Sequence, residues 1–85
     1  MITCVTANDM HDALDKLEKW RLELEQTHSL GNLRRSAKMI QKYKKTKDAE
    51  IRDEAIIRLE FEIDWIASKQ GKMLLQEGLT WTLVG

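Results

Sequence analysis

Residues 55–70 read Ala55-Ile56-Ile57-Arg58-Leu59-Glu60-Phe61-Glu62-Ile63-Asp64-Trp65-Ile66-Ala67-Ser68-Lys69-Gln70, and their spacing decides what fold the chain can build. At 100° per residue, Ala55, Ile56, Leu59, Ile63, Ile66 and Ala67 form one wide apolar stripe. Ile57, Phe61 and Trp65, at i, i+4 and i+8, form a second stripe well separated from it. Asp53, Glu60 and Asp64 divide the two on one side; Arg58, Glu62 and Lys69 divide them on the other. A three-helix bundle needs one wide stripe per helix to close its core. The aromatic stripe is therefore surplus and asks for a second burial partner. The competing reading puts both stripes into one core around a centrally placed third helix. Large exposed apolar patches are uncommon on monomers and aromatic anchors are enriched at interfaces, which favours the interface reading.

The segment just before this helix is charged in the opposite sense. Between Leu33 and Lys47 lie Arg34, Arg35, Lys38, Lys42, Lys44, Lys45 and Lys47, seven of the fourteen Lys and Arg, while all fourteen Asp and Glu lie outside it. The formal net charge of zero thus hides about +7 in one stretch and −7 across the remainder. Leu33, Ser36, Ala37, Met39, Ile40 and Tyr43 give this second helix, about 33–46, a broad, mostly apolar face. Arg34, Arg35, Lys38, Lys42 and Lys45 gather on its opposite arc. Lys44 and Lys47 break the pattern, and Asp48 is a good cap for the third helix, about 48–70. A single continuous helix over 33–70 is the alternative. The apolar stripe does not run on in phase, so a turn at Thr46 to Asp48 is preferred.

Upstream, Asn8 or Asp9 can cap a first helix, about 9–28, with Asp9, Asp12 and Asp15 suited to its electropositive start. Met10, Ala13, Leu14, Leu17, Trp20 and Leu24 share one stripe. Leu22 falls off it, and Arg21 intrudes on it through an aliphatic stem. Ser29-Leu30-Gly31-Asn32 supplies a C-terminal glycine and a fresh N-cap after His28.

Both ends have strand character. Ile2-Thr3-Cys4-Val5-Thr6 is β-branched, and residues 79–84 alternate with period two. In an up-down-up bundle a 20-residue helix separates these ends by about 30 Å. Gly71 and Gly78 permit breaks, and 13 extended residues cover about 40 Å, enough to fold back. An isolated two-stranded ribbon is marginal, so frayed ends are the alternative. The expected fold class is accordingly an all-α, small three-helix bundle. It forms one helical domain over 1–85, with 1–7 and 78–85 as strand-like or frayed ends. Eighty-five residues, no proline and four glycines suit one small helical domain. One cysteine, no signal-like start and no apolar run near 20 residues point to a soluble, reducing, cytoplasmic setting.

Groups that carry chemistry are sparse. Cys4 has no histidine nearby in sequence and reads as a small hydrophobe. His11, Asp15 and Glu18 share one helical side, but a solvated acidic face of this kind is ordinary and a structural zinc site calls for a tighter Cys/His set. Glu60, Glu62 and Asp64 alternate around the third helix and do not converge. There is no glycine-rich phosphate loop and no Gly-x-Ser-x-Gly elbow. The expectation is a non-enzyme without metal or cofactor.

Two functional readings follow. In the first, the chain is a protein-interaction module of the regulator, inhibitor or assembly-adaptor type. It self-associates as a homodimer or other homo-oligomer, with Ile57, Phe61, Trp65 and Trp81 anchoring the partner. The basic helix then orients an acidic surface, on a partner or on a neighbouring copy. In the second, Arg34, Arg35, Lys38, Lys42 and Lys45 contact the phosphates of a nucleic acid. Base-reading side chains near that arc are limited to Asn32 and Gln41, and the acidic flanking helices repel a polyanion. A solvated basic face balanced by its own neighbours accounts for the same residues. A membrane is not expected, because the helix's modest apolar face is needed for the core.

Overall fold

The computed structural model describes residues 3–27 and 35–85, and of residues 26, 27 and 35 only the backbone. Element order is β1 (Cys4–Thr6), α1 (Met10–Thr27), α2 (Arg35–Thr46), α3 (Ala49–Ser68), β2 (Met73–Glu77) and β3 (Thr80–Val84). The expected junction at Ser29 to Asn32, with His28, Leu33 and Arg34, lies outside the described residues.

The fold is mixed α/β, which corrects the all-α bundle. The three strands form one antiparallel sheet in the order β1-β3-β2. The two strand-like ends do pair, Cys4 with Thr82 and Thr6 with Thr80, but β2 between them was not expected. Met73-Leu74-Leu75-Gln76-Glu77 has no period-two alternation and consists of good helix formers. It becomes a strand because Gly78, at φ +57°, opens a two-residue hairpin loop that sets Glu77 opposite Thr80. The preceding turn is equally specific. Gly71 takes φ +72°, and the amides of Gly71 and Lys72 return to the carbonyls of Ser68 (3.1 Å) and Ala67 (2.9 Å). This Schellman arrangement satisfies the last turn of α3 and reverses the chain.

Helix starts follow capping chemistry. Asp9 Oδ1 accepts the Asp12 amide at 2.8 Å, and Asp12 Oδ2 reaches back to accept the Asn8 amide at 2.9 Å. Between α2 and α3 the chain turns at Thr46 to Asp48, as preferred over one long helix. Lys47 adopts φ +57° and donates its amide to the Tyr43 carbonyl at 2.7 Å. Asp48 caps α3 by accepting the Glu50 amide at 2.9 Å.

The core follows the wide stripes. Ala13, Leu14, Leu17, Trp20 and Leu24 of α1 meet Ile40 and Tyr43 of α2 and Ala55, Ile56, Leu59, Ile63, Ile66 and Ala67 of α3, all buried. From the sheet, Trp81 and Leu83 point inward to the same core, and Val5 and Leu74 pack at its margin. Helix α3 is the central element and packs against α1, α2 and β2.

One departure from the helical pattern sits at the α1–α2–α3 junction. Glu62 was expected on a solvated divide between the two stripes of α3, and Arg21 was expected to snorkel. Both are buried. Arg21 Nε lies 3.0 Å from Glu62 Oε2, with side chains 4% and 1% exposed. The Arg21 Nη1 donates to Glu25 Oε2 at 2.9 Å. Glu62 also accepts from the Ser36 amide (3.1 Å) and hydroxyl (2.8 Å), closing the open first turn of α2. Arg21, a cation intruding on the apolar stripe of α1, was the one sequence signal for this pair.

Candidate interaction surface

The surface of interest is built by three neighbours of α3. On one flank, Asp64 Oδ1 accepts the Leu74 amide of β2 at 3.1 Å, and Glu60 Oε2 accepts the Trp81 indole N–H at 2.9 Å. On the other, Glu62 is tied to Ser36 of α2. The wide stripe faces α1. What remains open is the narrow face between sheet and α2, and it carries Ile57, Phe61 and Trp65, 64%, 61% and 42% exposed. The centrally placed third helix is thus real, yet its aromatic stripe stays outside the core that it organises.

Charged side chains border the stripe. Arg58 pairs with Glu54 at 3.1 Å, and together with Ile57, Phe61 and Glu62 they line a shallow hollow of about 350 Å³. The Lys69 ammonium lies 4.2 Å from the centre of the Trp65 ring, an attractive cation–π contact at the stripe's C-terminal end. Opposite them stand Asp53, paired with Arg52 at 3.0 Å, and Asp64.

Trp81, expected with the aromatic anchors, is not at this surface. It is 2% exposed and belongs to the core. Its period-two position on β3 faces the helices, and the indole N–H finds its partner in Glu60. Two exposed residues that sequence reasoning missed are Met73 and Leu75, 55% and 49% exposed on the outer face of β2. The register places both beside Leu74, whose amide is held by α3. Unrecognised as a strand, the segment offered no face on which to place them.

Of the basic arc, Lys38, Lys42 and Lys45 are exposed and have no ion pair among the described residues. Arg34 and the Arg35 side chain lie outside those residues. Lys44 leaves the arc toward α1, 4.0 Å from Glu18, and the Lys47 ammonium stands 5.6 Å from the Tyr43 ring centre.

The chemically versatile groups stay apart. Cys4 lies on the outer sheet face, where the Thr82 hydroxyl approaches it at 3.6 Å. His11, on α1, accepts or donates at Nδ1 with the Tyr43 hydroxyl (2.9 Å) and stands 3.8 Å from Asp15 through Nε2. Among the described residues no group of three His, Cys, Asp or Glu is placed to hold a metal. Nor is any helix there long and apolar enough to cross a membrane. Asp12, at the start of α1, has its carboxyl held below the ordinary aspartate value by the Asn8 amide first and by Lys16 second. That is a capping effect remote from the stripe. Comparison with protein-family models, with curated proteins and with solved structures gives no match, so the role of this surface rests on its own chemistry.

Proposed function

We propose that this chain is a small non-enzymatic protein-interaction module, of the regulator, inhibitor or assembly-adaptor type, that docks and self-associates through the aromatic stripe of α3. The observation that carries the reading is the exposure of Ile57, Phe61 and Trp65 beside a core that closes without them. Aromatic side chains so placed supply anchoring energy, about 1.5–3 kcal/mol for each one fully covered. Lys38 and Lys42 of α2 supply the charge that orients an acidic surface against the stripe.

Phe61→Asp tests the reading. Its side chain is largely in solvent, so unfolding free energy should change by no more than about 0.5 kcal/mol. Association should weaken by about ten- to a hundredfold, the value of one lost anchor. Circular dichroism and sedimentation equilibrium read the two quantities. A variant that unfolds would place the stripe in the core, and one that associates as well as the parent would remove it from the interface.

Nucleic-acid binding is the second reading, favoured only by the exposure of Lys38, Lys42 and Lys45, which have no ion pair among the described residues. Reversing Lys38 and Lys42 to Glu abolishes salt-sensitive retention of duplex under that reading. If the arc serves a protein there is no such retention to lose, and the reversal weakens association instead.

A further inference from the structure

We propose, building on the docking role given to the stripe, that its occupant is a second copy of this chain, with the two α3 helices side by side and parallel. The two borders of the stripe differ in sign. Glu60 and Asp64 bond to the sheet, so they define the sheet flank. Asp53 is eleven residues before Asp64, close to three full turns, and shares that flank. Glu62 bonds to α2, and Arg58, one turn earlier, lies on the α2 flank. Lys69 is eleven residues after Arg58 and shares it in turn. One border is therefore acidic and the other basic. The basic border continues onto α2: Lys44 reaches Glu18 of α1, and Lys42, about 160° around the helix from it, turns toward the stripe.

Symmetry then discriminates. A two-fold axis perpendicular to α3 gives an antiparallel pair and brings like borders together, the border of Arg58 and Lys69 against its own copy and the border of Asp53 and Asp64 against its own copy. A two-fold axis along α3 gives a parallel pair and brings unlike borders together. In that geometry a border residue meets the residue five positions further on the other helix, the ion-pair spacing of parallel helix pairs. Asp53 then meets Arg58, and Asp64 meets Lys69. Each of these pairings occurs twice and unites opposite charges; the one like pair, Glu54 facing its own counterpart, lies beside Arg58 of its own chain at 3.1 Å. The basic face of α2 also comes to lie over the acidic flank of the other copy. Ile57, Phe61 and Trp65 stack on their own counterparts between these borders.

The present partners of these groups do not oppose the exchange. Asp53 pairs with its neighbour Arg52, Arg58 with exposed Glu54, and Asp64 uses only Oδ1 for Leu74. Solvated ion pairs of this kind contribute little and rearrange readily. Size sets the strength of the assembly. At 150–250 Å² per aromatic side chain, the exposed parts of Phe61 and Trp65 amount to about 200 Å², and the stripe to about 300 Å². A stable interface covers about 800 Å² per partner. The stripe alone falls short, so the charged borders decide orientation and the dimer is weak and salt-sensitive.

Cysteine cross-linking reads the orientation. In a Cys4→Ser background, Glu54→Cys and Ser68→Cys are placed separately near the two ends of α3. In the parallel pair residue 54 faces its own counterpart, so each variant forms a disulfide dimer by itself under mild oxidation. In an antiparallel pair centred on Phe61, residue 54 faces residue 68, and the two copies of 54 are about 21 Å apart. Self-cross-linking of each variant is the result expected. Disulfides formed only when the two variants are mixed would overturn the orientation while leaving association through the stripe intact. Failure of the native chain to associate at all would overturn the second copy as occupant. As a charge control, Arg58→Asp should lower the dimer association constant about tenfold at low salt, and Asp53→Arg added to it should restore the loss. No restoration would also count against the parallel pair.

Discussion

Replacing Arg21 by Met probes the most heavily buried charges among the described residues. Arg21 and Glu62 are 3.0 Å apart with side chains 4% and 1% exposed. Removing the guanidinium leaves the Glu62 carboxylate buried, with the Ser36 amide and hydroxyl as its remaining partners among the described residues. Breaking one side of such a pair costs about 3–5 kcal/mol. A chain of 85 residues has a total stability of about 4–13 kcal/mol, so this one change removes a large share of it. Removing both charges, as Arg21→Met with Glu62→Leu, abolishes the unpaired ion. What remains is the unmet Ser36 amide in the first turn of α2, about 1–3 kcal/mol. The double variant should therefore be more stable than Arg21→Met alone, and the two changes should be coupled by about 2 kcal/mol or more. Urea unfolding followed by circular dichroism measures all four corners of the cycle. Simple additivity, or a loss under about 1 kcal/mol in Arg21→Met, would show that the pair is not the buried junction described above.

Two further outcomes follow from local geometry. Lys47 holds a left-handed conformation at φ +57° that costs a non-glycine residue about 1–2 kcal/mol, so Lys47→Gly should stabilise the fold by about 0.5–1 kcal/mol after the added flexibility of the unfolded chain is subtracted. A loss of stability in chemical denaturation would show that the Lys47–Tyr43 contact outweighs the strain. The lowered carboxyl of Asp12 makes its charged form part of the folded state, so its contribution is present above the ordinary aspartate value of 3.8 and fades as pH falls through the lower folded value. Asp12→Asn should flatten that acid limb of the stability curve, and an unchanged limb would assign it to other groups.

Much of the helical architecture was legible because it rests on local repetition. The stripes Ala13-Leu14-Leu17-Trp20-Leu24 and Ala55-Ile56-Leu59-Ile63-Ile66-Ala67 are buried, and Met10 at the head of the first is half-buried. The break at Lys47 and Asp48 was readable from a phase shift and a cap. The sheet was half legible: alternation marks β3, but β2 exists through its hairpin turn and its neighbour, not its own propensity. Arg21 stood out on the stripe of α1, but its partner Glu62 hides in a position that looks solvated along α3 alone, since burial there depends on how α1, α2 and α3 converge. The candidate surface divides in the same way. Ile57, Phe61 and Trp65 share a spacing that no single core requires, whereas Trp81 has equal aromatic character and became core because its strand face points to the helices.

Self-association through the exposed stripe of α3 makes the mass of the protein depend on its concentration. Sedimentation equilibrium of the native protein over a wide concentration range, at low and at high salt, tests it most directly. The average mass should rise from one chain, 9.9 kDa, toward twice that value with concentration, more steeply at low salt, and for Phe61→Asp the rise should need about ten- to a hundredfold more protein. A mass that remains at 9.9 kDa for the native chain at every concentration would contradict the account.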